Sequence, residues 1–329
     1  MQSSAKAWNL IHESLKAGDP VVLLFVLESQ GSSPGRQGFA MAVTGNGQLA
    51  GSIGGGIMEH KFVELAKAHL AEEQSDASIH RQIHSKEART NQSGMICSGE
   101  QTILLYAVRQ SDGLMVEKLV QRLQANQPGW IRLSADGIEY SSTAFPTETG
   151  FYKTLEQIWF YNGPIGAKPL IHIIGGGHCS LALSRLMDML GFRIKLYDDR
   201  PGLNTWEENQ LAEEKLLLGS YDELTDILPS DPESYVVVMT FGYRTDDQVI
   251  RALKDRTFAF FGVLGSQKKI AKMMEDYRTE GFSEDWLQTL SAPVGVPIKS
   301  QTPEEIAVSI AAEIIARKNN PGFDVKSSK

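Results

Sequence analysis

The stretch LIHIIGGGHCSLALSRLMDMLGFRIKLYDDR, residues 170–200, constrains the fold more than any other part of the chain. A short apolar run ends in three glycines, the turn opens a helical pattern, and a second apolar run ends at Asp198. Gly175 and Gly177 fill the first two positions of a dinucleotide fingerprint, Ser180 stands where its third small residue belongs, and Asp198 follows at the expected distance. A helix beginning near His178 would offer amides to a phosphate, and Asp198 would accept hydrogen bonds from a ribose. The plainer reading is that the glycines close a tight strand-to-helix turn with His178 at a helix start; both remain open on this stretch alone. The same rhythm continues through YVVVM, a helical pattern after Thr245 and FAFFGVLG, which calls for a parallel sheet covered by helices on both faces. Thr302, Pro303 and Glu305 spell a capping box at the start of a last helix.

The residues before this region read differently. Ala7, Trp8, Ile11 and Leu15 share a helical face that stops at Gly18-Asp19-Pro20, and residues 21–27 form a wholly apolar strand. Two glycine-rich loops, GSSPGRQG (residues 31–38) and GSIGGG (residues 51–56), flank a hairpin turning at TGNG, and the second runs into a helix bearing Phe62, Leu65, Ala66 and Leu70. Such loops expose backbone N–H groups and permit close approach, so Ser32, Ser33, Arg36, Ser52, Gly54, Gly55 and Gly56 are candidate ligand contacts. Glu59 has a simple role available, stabilising a helix N-terminus. Cys97, between Gly94 and Gly99, is either a reactive or metal-ligating thiol or an inert small hydrophobe. Asp246 and Asp247 follow a strand end where open α/β sheets place ligands, although helix capping would explain one of them.

The expected architecture is therefore α/β in two domains, an N-terminal α/β domain with Gly-rich loops (residues 1–110) and a C-terminal Rossmann-like parallel sheet (residues 168–318). Between them, residues 111–167 read as a sheet extension ending in a linker at Asn162-Gly163-Pro164, and residues 319–329 as a disordered tail. A net charge of −8 without a basic cluster argues against a nucleic-acid partner. The longest apolar run, VVLLFVL, is far shorter than a membrane span, and the first ten residues lack a signal peptide's apolar core; the expectation is a cytoplasmic protein with no membrane partner. Two cysteines without a CxxC pair predict neither a disulfide framework nor a zinc site.

Taken in order, GSSPGRQG, GSIGGGIMEH, GMICSGEQTILL, IIGGGHCSLAL, LYDDRPG, VVVMTFGYRTDD, FFGVLGSQKK and APVGVPIKSQTPEEIAVSIAAEIIA resemble the XdhC/CoxI family, the xanthine dehydrogenase accessory factors. The resemblance covers most of the chain apart from the middle extension. It implies a protein that assists rather than catalyses, binding the molybdenum cofactor (molybdopterin) while a cysteine desulfurase replaces its terminal oxo ligand by sulfide. The loaded cofactor would then pass to a molybdenum hydroxylase such as xanthine dehydrogenase. It points to Cys97 as a molybdenum-proximal thiolate. Two positions depart from the family pattern: a cysteine commonly follows the last loop glycine, where Ile57 stands here, and a Thr-His pair is Thr240-Phe241. An NAD(P)-dependent oxidoreductase or a nucleotide-binding regulatory protein is the alternative that the Gly175, Gly177 and Asp198 pattern keeps open, and a homodimer is compatible with either.

Overall fold

The computed structural model describes residues 2–74, 76–83, 99–154, 158–166, 168–320 and 322. The chain divides into two compact units, Met1–Ala167 and Lys168–Lys329.

The first unit runs α1 (Gln2–Ala17), β1 (Val21–Gly31), β2 (Ala40–Thr44), β3 (Leu49–Gly51), α2 (Gly56–Ala71), β4 (Ser78–Ile83) and β5 (Gly99–Ala107). It continues with α3 (Gly113–Gln124), β6 (Gly129–Ser134), β7 (Gly137–Ser141), β8 (Gly150–Lys153) and β9 (Trp159–Ile165). Its larger sheet has the order β3-β2-β1-β5-β4, with every pairing antiparallel. The unbroken apolar run of β1 reflects burial on both sides. Val22, Leu24 and Val26 pack with Met58, Phe62 and Ala66 of α2, while Leu23, Phe25 and Leu27 face Trp8 and Ile11 of α1 and Leu119 of α3. Each fully buried side chain of this size contributes about 1.5–3 kcal/mol. Helix α1 stops at Gly18, whose positive φ of 74° lets its N–H turn back to the Leu15 carbonyl.

The described residues between 111 and 166 contribute to the same core. Their sheet, β7-β6-β9-β8, sends Ile131, Leu133, Trp159 and Tyr161 into the cluster that holds Trp8 and Phe25. The expected linker at Asn162-Gly163-Pro164 is corrected: all three residues lie within β9, with Asn162 fully buried. Pro164 is tolerated because pairing with β8 ends at Asn162, leaving the strand only one neighbour at the proline.

The second unit runs β10 (Leu170–Ile174), α4 (His178–Met189), β11 (Arg193–Asp198), α5 (Asn204–Glu208), β12 (Glu214–Leu217), α6 (Leu224–Ile227) and β13 (Asp231–Val238). There follow α7 (Tyr243–Leu253), β14 (Phe258–Val263), α8 (Gln267–Thr279), α9 (Glu284–Thr289), β15 (Leu290–Ser291) and α10 (Pro303–Asn319). The sheet is parallel throughout, in the order β12-β11-β10-β13-β14-β15, the doubly wound arrangement in which the chain reverses direction between its first and fourth strands. Alternate residues of its central strands enter two cores, Val236 and Val238 on one face and Ile171, Ile173 and Val237 on the other. Thr302 caps α10 by accepting from the Glu305 N–H at 3.2 Å, and Glu305 accepts from the Thr302 N–H in return. Among the described residues no helix is long and apolar enough to cross a membrane.

One core residue titrates. His172 of β10 is buried beside Tyr197, with Nδ1 2.9 Å from the phenol oxygen. Burial, reinforced by the Lys195 cation, pushes its imidazole down to about 4 from 6.5. The unfolded chain therefore binds more protons than the folded one between those values, and stability is lost as pH falls from about 6.5 to about 4. The full loss attributable to His172 is about 3 kcal/mol. Urea denaturation of the wild type and His172→Gln across that range should show a shallower pH dependence in the variant.

Candidate functional site

In the first unit the two glycine-rich loops lie backbone to backbone. A Cβ on Gly54 would sit 2.5 Å from the Gly35 nitrogen, and one on Gly35 would collide with the Ile53 carbonyl. The start of β5 closes on the same place: a Cβ on Gly99 would lie 2.7 Å from Ser33 N, and Gln101 donates from Nε2 to the Ile53 carbonyl at 3.1 Å. These glycines serve the approach of the chain to itself. Gly55 differs, because its positive φ of 77° requires glycine while nothing lies within 4 Å of the place a Cβ would take.

Glu59 holds the second loop. Its Oε2 accepts from Ser52 Oγ at 2.6 Å, Ile53 N at 2.9 Å and Gly55 N at 3.0 Å, and Ser52 Oγ in turn accepts from Gly54 N at 3.1 Å. The helix-dipole role expected for Glu59 is thus too small an account; the carboxylate occupies loop amides that an external anion would otherwise meet. What remains open is the first turn of α2, where the amides of Gly56 and Ile57 have no carbonyl one turn back to reach. Ile57 is 68% exposed. Of the first-loop candidates, Ser33 is buried and donates to the Gly35 carbonyl at 3.0 Å, Ser32 is exposed, and Arg36 is exposed with Nη1 on the Gly31 carbonyl at 3.1 Å. Cys97 lies outside the described residues.

In the second unit the Gly175-Gly176-Gly177 turn and the Thr240-Phe241-Gly242 turn follow β10 and β13, the two strands flanking the reversal point. Gly175, at φ 113°, abuts the Met239 carbonyl so closely that any side chain would clash with it. Ser180 donates from Oγ to the Gly175 carbonyl, and Thr205 donates to the Gly176 carbonyl at 2.6 Å. Gly177 caps α4 in extended backbone with open space beside it, and His178 is exposed. The turn is therefore wired into the protein on one side and open at Gly177 and His178 on the other.

Asp198 is fully buried, and its oxygens are engaged by its own chain. Oδ2 accepts from Gly176 N at 2.5 Å and Arg200 Nη2 at 2.7 Å; Oδ1 accepts from Arg200 N at 2.8 Å and Arg200 Nε at 2.9 Å. Burial works to raise its pKa but is outweighed by the Arg200 side chain and the two amides, which hold the carboxyl below its usual range. A ribose would have to displace Arg200 to use this carboxylate. The guanidinium also lies 5.5 Å from the ring centre of Phe241, which is 84% exposed, so Arg200 connects the end of β11 with the end of β13.

Neither aspartate after Gly242 caps α7. Gly242 is the cap residue; Asp246 is fully buried, accepts from Thr240 N at 3.1 Å and Thr240 Oγ1 at 2.6 Å, and pairs with Lys269. Lys269 also donates to the Leu264 carbonyl at 2.8 Å, tying the β13 and β14 turns together. Asp247 accepts from Arg251 and Tyr277, each at 2.9 Å. Cys179 in the first turn of α4 is half-buried, and burial, with Glu304 adding to it, pushes its thiol pKa up, away from a reactive thiolate. Among the described residues no group of three or more His, Cys, Asp or Glu side chains is placed to hold a metal ion. Arg200 and Lys269 were missed as site residues in the sequence; their only signal was a cation within two residues of Asp198 and another just beyond the FFGVLG strand.

Two family descriptions match in chain order: the XdhC and CoxI family over residues 14–81 and the XdhC Rossmann domain over residues 171–314. The protein YqeB of Escherichia coli is 25% identical over 95% of this chain, which spans 47% of that relative's length. A Bacillus subtilis protein named as a "Probable xanthine dehydrogenase" component is 24% identical over 92% of this chain and 94% of its own. The molybdenum cofactor insertion chaperone PaoD of Escherichia coli is 22% identical over 92% of this chain and 85% of its own. Among solved structures, one titled a xanthine dehydrogenase from Bacillus halodurans shares the fold with a TM-score of 0.71, 22% identity and 98% coverage of both chains.

Two outcomes follow from the geometry. Glu59→Ala should cost about 2–4 kcal/mol in chemical denaturation, because three donors lose a charged acceptor. Amide exchange should accelerate at Ile53 and Gly55 before global unfolding. Titration of NAD(H) or NADP(H) at millimolar concentration should leave the melting temperature unchanged, since Arg200 occupies the ribose acceptor.

Proposed function

The chain belongs to the XdhC and CoxI family, and from that premise we propose that it is an accessory protein of molybdenum-enzyme maturation, binding the molybdenum cofactor and inserting it into a molybdenum hydroxylase of the xanthine dehydrogenase type. The observation carrying this reading is the converged loop cluster of the first unit. It combines an interlocked glycine backbone, an open Gly55, an exposed helix start at Gly56 and Ile57, and an exposed Arg36 in the first loop. The relatives named for cofactor insertion and for xanthine dehydrogenase support it, since the similarity to each extends over most of both chains.

The fit to the cofactor is good at one end. Its anionic phosphate would be held by the Gly56 and Ile57 amides and by Arg36, while Gly55 allows a bulky ring to approach the backbone. Glu59 keeps the Ile53 and Gly55 amides pointed inward, so the anion is directed to the helix start rather than into the loop. When bound, the cofactor would supply the molybdenum centre, and a cysteine desulfurase is the proposed partner for replacing its terminal oxo ligand. The chain's own residues bind, orient and shield it, and no general acid–base pair or activated nucleophile is required of them. Cys97 is the proposed thiolate near the metal.

Coexpression with cofactor synthesis, purification and fluorescence assay of the released oxidised pterin tests this directly. The wild type should carry pterin and Ile57→Asp should carry almost none, because the added carboxylate repels the phosphate at an exposed position whose backbone accepts any side chain. Arg36→Ala should retain the fold and lose about tenfold in cofactor affinity, the loss of one charge-assisted contact. Equal pterin content in wild type and Ile57→Asp would sink the proposal.

A further inference from the structure

A second cavity lies in the C-terminal unit, away from the reversal point of its sheet. It has a volume of about 800 Å³ and is enclosed by α8, the segment 288–297 around the edge strand β15, and the last turns of α10. That volume is within the range of small-molecule sites, roughly 300–1,000 Å³.

One wall is pinned before any ligand arrives. Glu313 of α10, only 1% exposed, accepts from Ser291 Oγ and from Gly295 N at 2.6 Å. Ser309 donates to the Val296 carbonyl at 2.7 Å, and Val296 N donates to the Ser309 carbonyl at 3.1 Å. Gly295 lies so close to Ser309 that a Cβ would overlap its hydroxyl. The opposite wall is one face of α8, where Ile270 and Met274 recur one turn apart and, with Leu290, line the cavity from the same apolar cluster.

Arg317 is the unbalanced element. It lines the cavity one helical turn beyond Glu313, yet makes no ion pair with it, because both Glu313 oxygens are turned to the 291–295 segment. Its Nε is buried with no hydrogen-bond partner among the described residues. A buried donor on a cation is costly to leave unpaired, and an anion is its natural complement. Arg278, on the same lining, spends Nε and Nη2 on Glu284 and is charge-balanced there. A cationic ligand would meet the Arg317 guanidinium, with the Glu313 carboxylate only 1% exposed and both its oxygens engaged.

We propose that this cavity binds a small organic anion, a carboxylate or phosphate monoester carrying an apolar or aromatic body, with Arg317 meeting the anion and Ile270, Met274 and Leu290 covering the body. The site shares no residue with the loop cluster of the first unit, so it stands or falls separately from the cofactor reading.

The test is calorimetric titration of the full chain with phenyl phosphate, benzoate, inorganic phosphate and benzyl alcohol, alongside the methyl NMR signal of Met274. Phenyl phosphate or benzoate should bind saturably and move the Met274 signal, inorganic phosphate should bind at least about tenfold more weakly, and benzyl alcohol should not bind. Arg317→Met should lower the affinity about tenfold or more, and Arg317→Lys should restore part of it. Ala271→Trp, which fills the cavity from an exposed position on α8, should abolish the response with the fold intact. The proposal is overturned if neither organic anion moves the Met274 signal at millimolar concentration, if Ala271→Trp binds as the wild type does, or if inorganic phosphate matches phenyl phosphate.

Discussion

Carboxylates folded back onto their own turns hold this protein's irregular backbone in place. Glu59 gathers Ser52, Ile53 and Gly55; Asp198 gathers Gly176 and Arg200; Asp246 gathers Thr240; Glu313 gathers Gly295. Asp112 does the same in the first unit, accepting from Arg109 N, Ile138 N and the Tyr106 hydroxyl. Charged acceptors make stronger hydrogen bonds to backbone N–H than neutral ones, so one side chain can order several residues of a loop that has no ladder to join. The glycines then provide what the carboxylates cannot, the room for two backbones to touch.

This arrangement changes how the glycine-rich loops are to be understood. A loop full of N–H groups suggests a waiting anion site, yet in both units the protein supplies part of the anion itself. The parts of these loops left exposed are the start of α2 in one unit and the Gly177–His178 corner in the other. The Rossmann architecture persists while the carboxylate at the acidic position of its fingerprint is engaged by Arg200, consistent with the general rule that a fold supports many functions and function resides in the site.

The architecture was largely legible in the sequence because it rests on periodicity. The unbroken apolar run of β1, the helical face of α1, the alternation after residue 168 and the capping box of α10 each record burial or capping directly. The site was legible only as a set of loops. That Gly35 meets Gly54 and Gly99 abuts Ser33, that Glu59 reaches back across a turn, and that Arg200 covers Asp198 depend on contacts between segments remote in sequence or on side-chain direction, which spacing does not encode. Asn162-Gly163-Pro164 misled for a related reason: turn-forming composition looks the same in a linker and in a strand end that has lost one neighbour.

The contact between Gly35 and Gly54 also limits how such a protein can diversify. A side chain at either position displaces the backbone of the other loop, so neither can change by a single substitution without its counterpart moving first. Variation that alters what the loops hold must therefore accumulate at exposed positions with ordinary backbone, at Ser32, Arg36 and Ile57, while the interlocked glycines pass unchanged beneath it. Ile57 occupies one of those free positions, which makes a departure from the usual cysteine there mechanically inexpensive: the framework beneath it need not adjust at all.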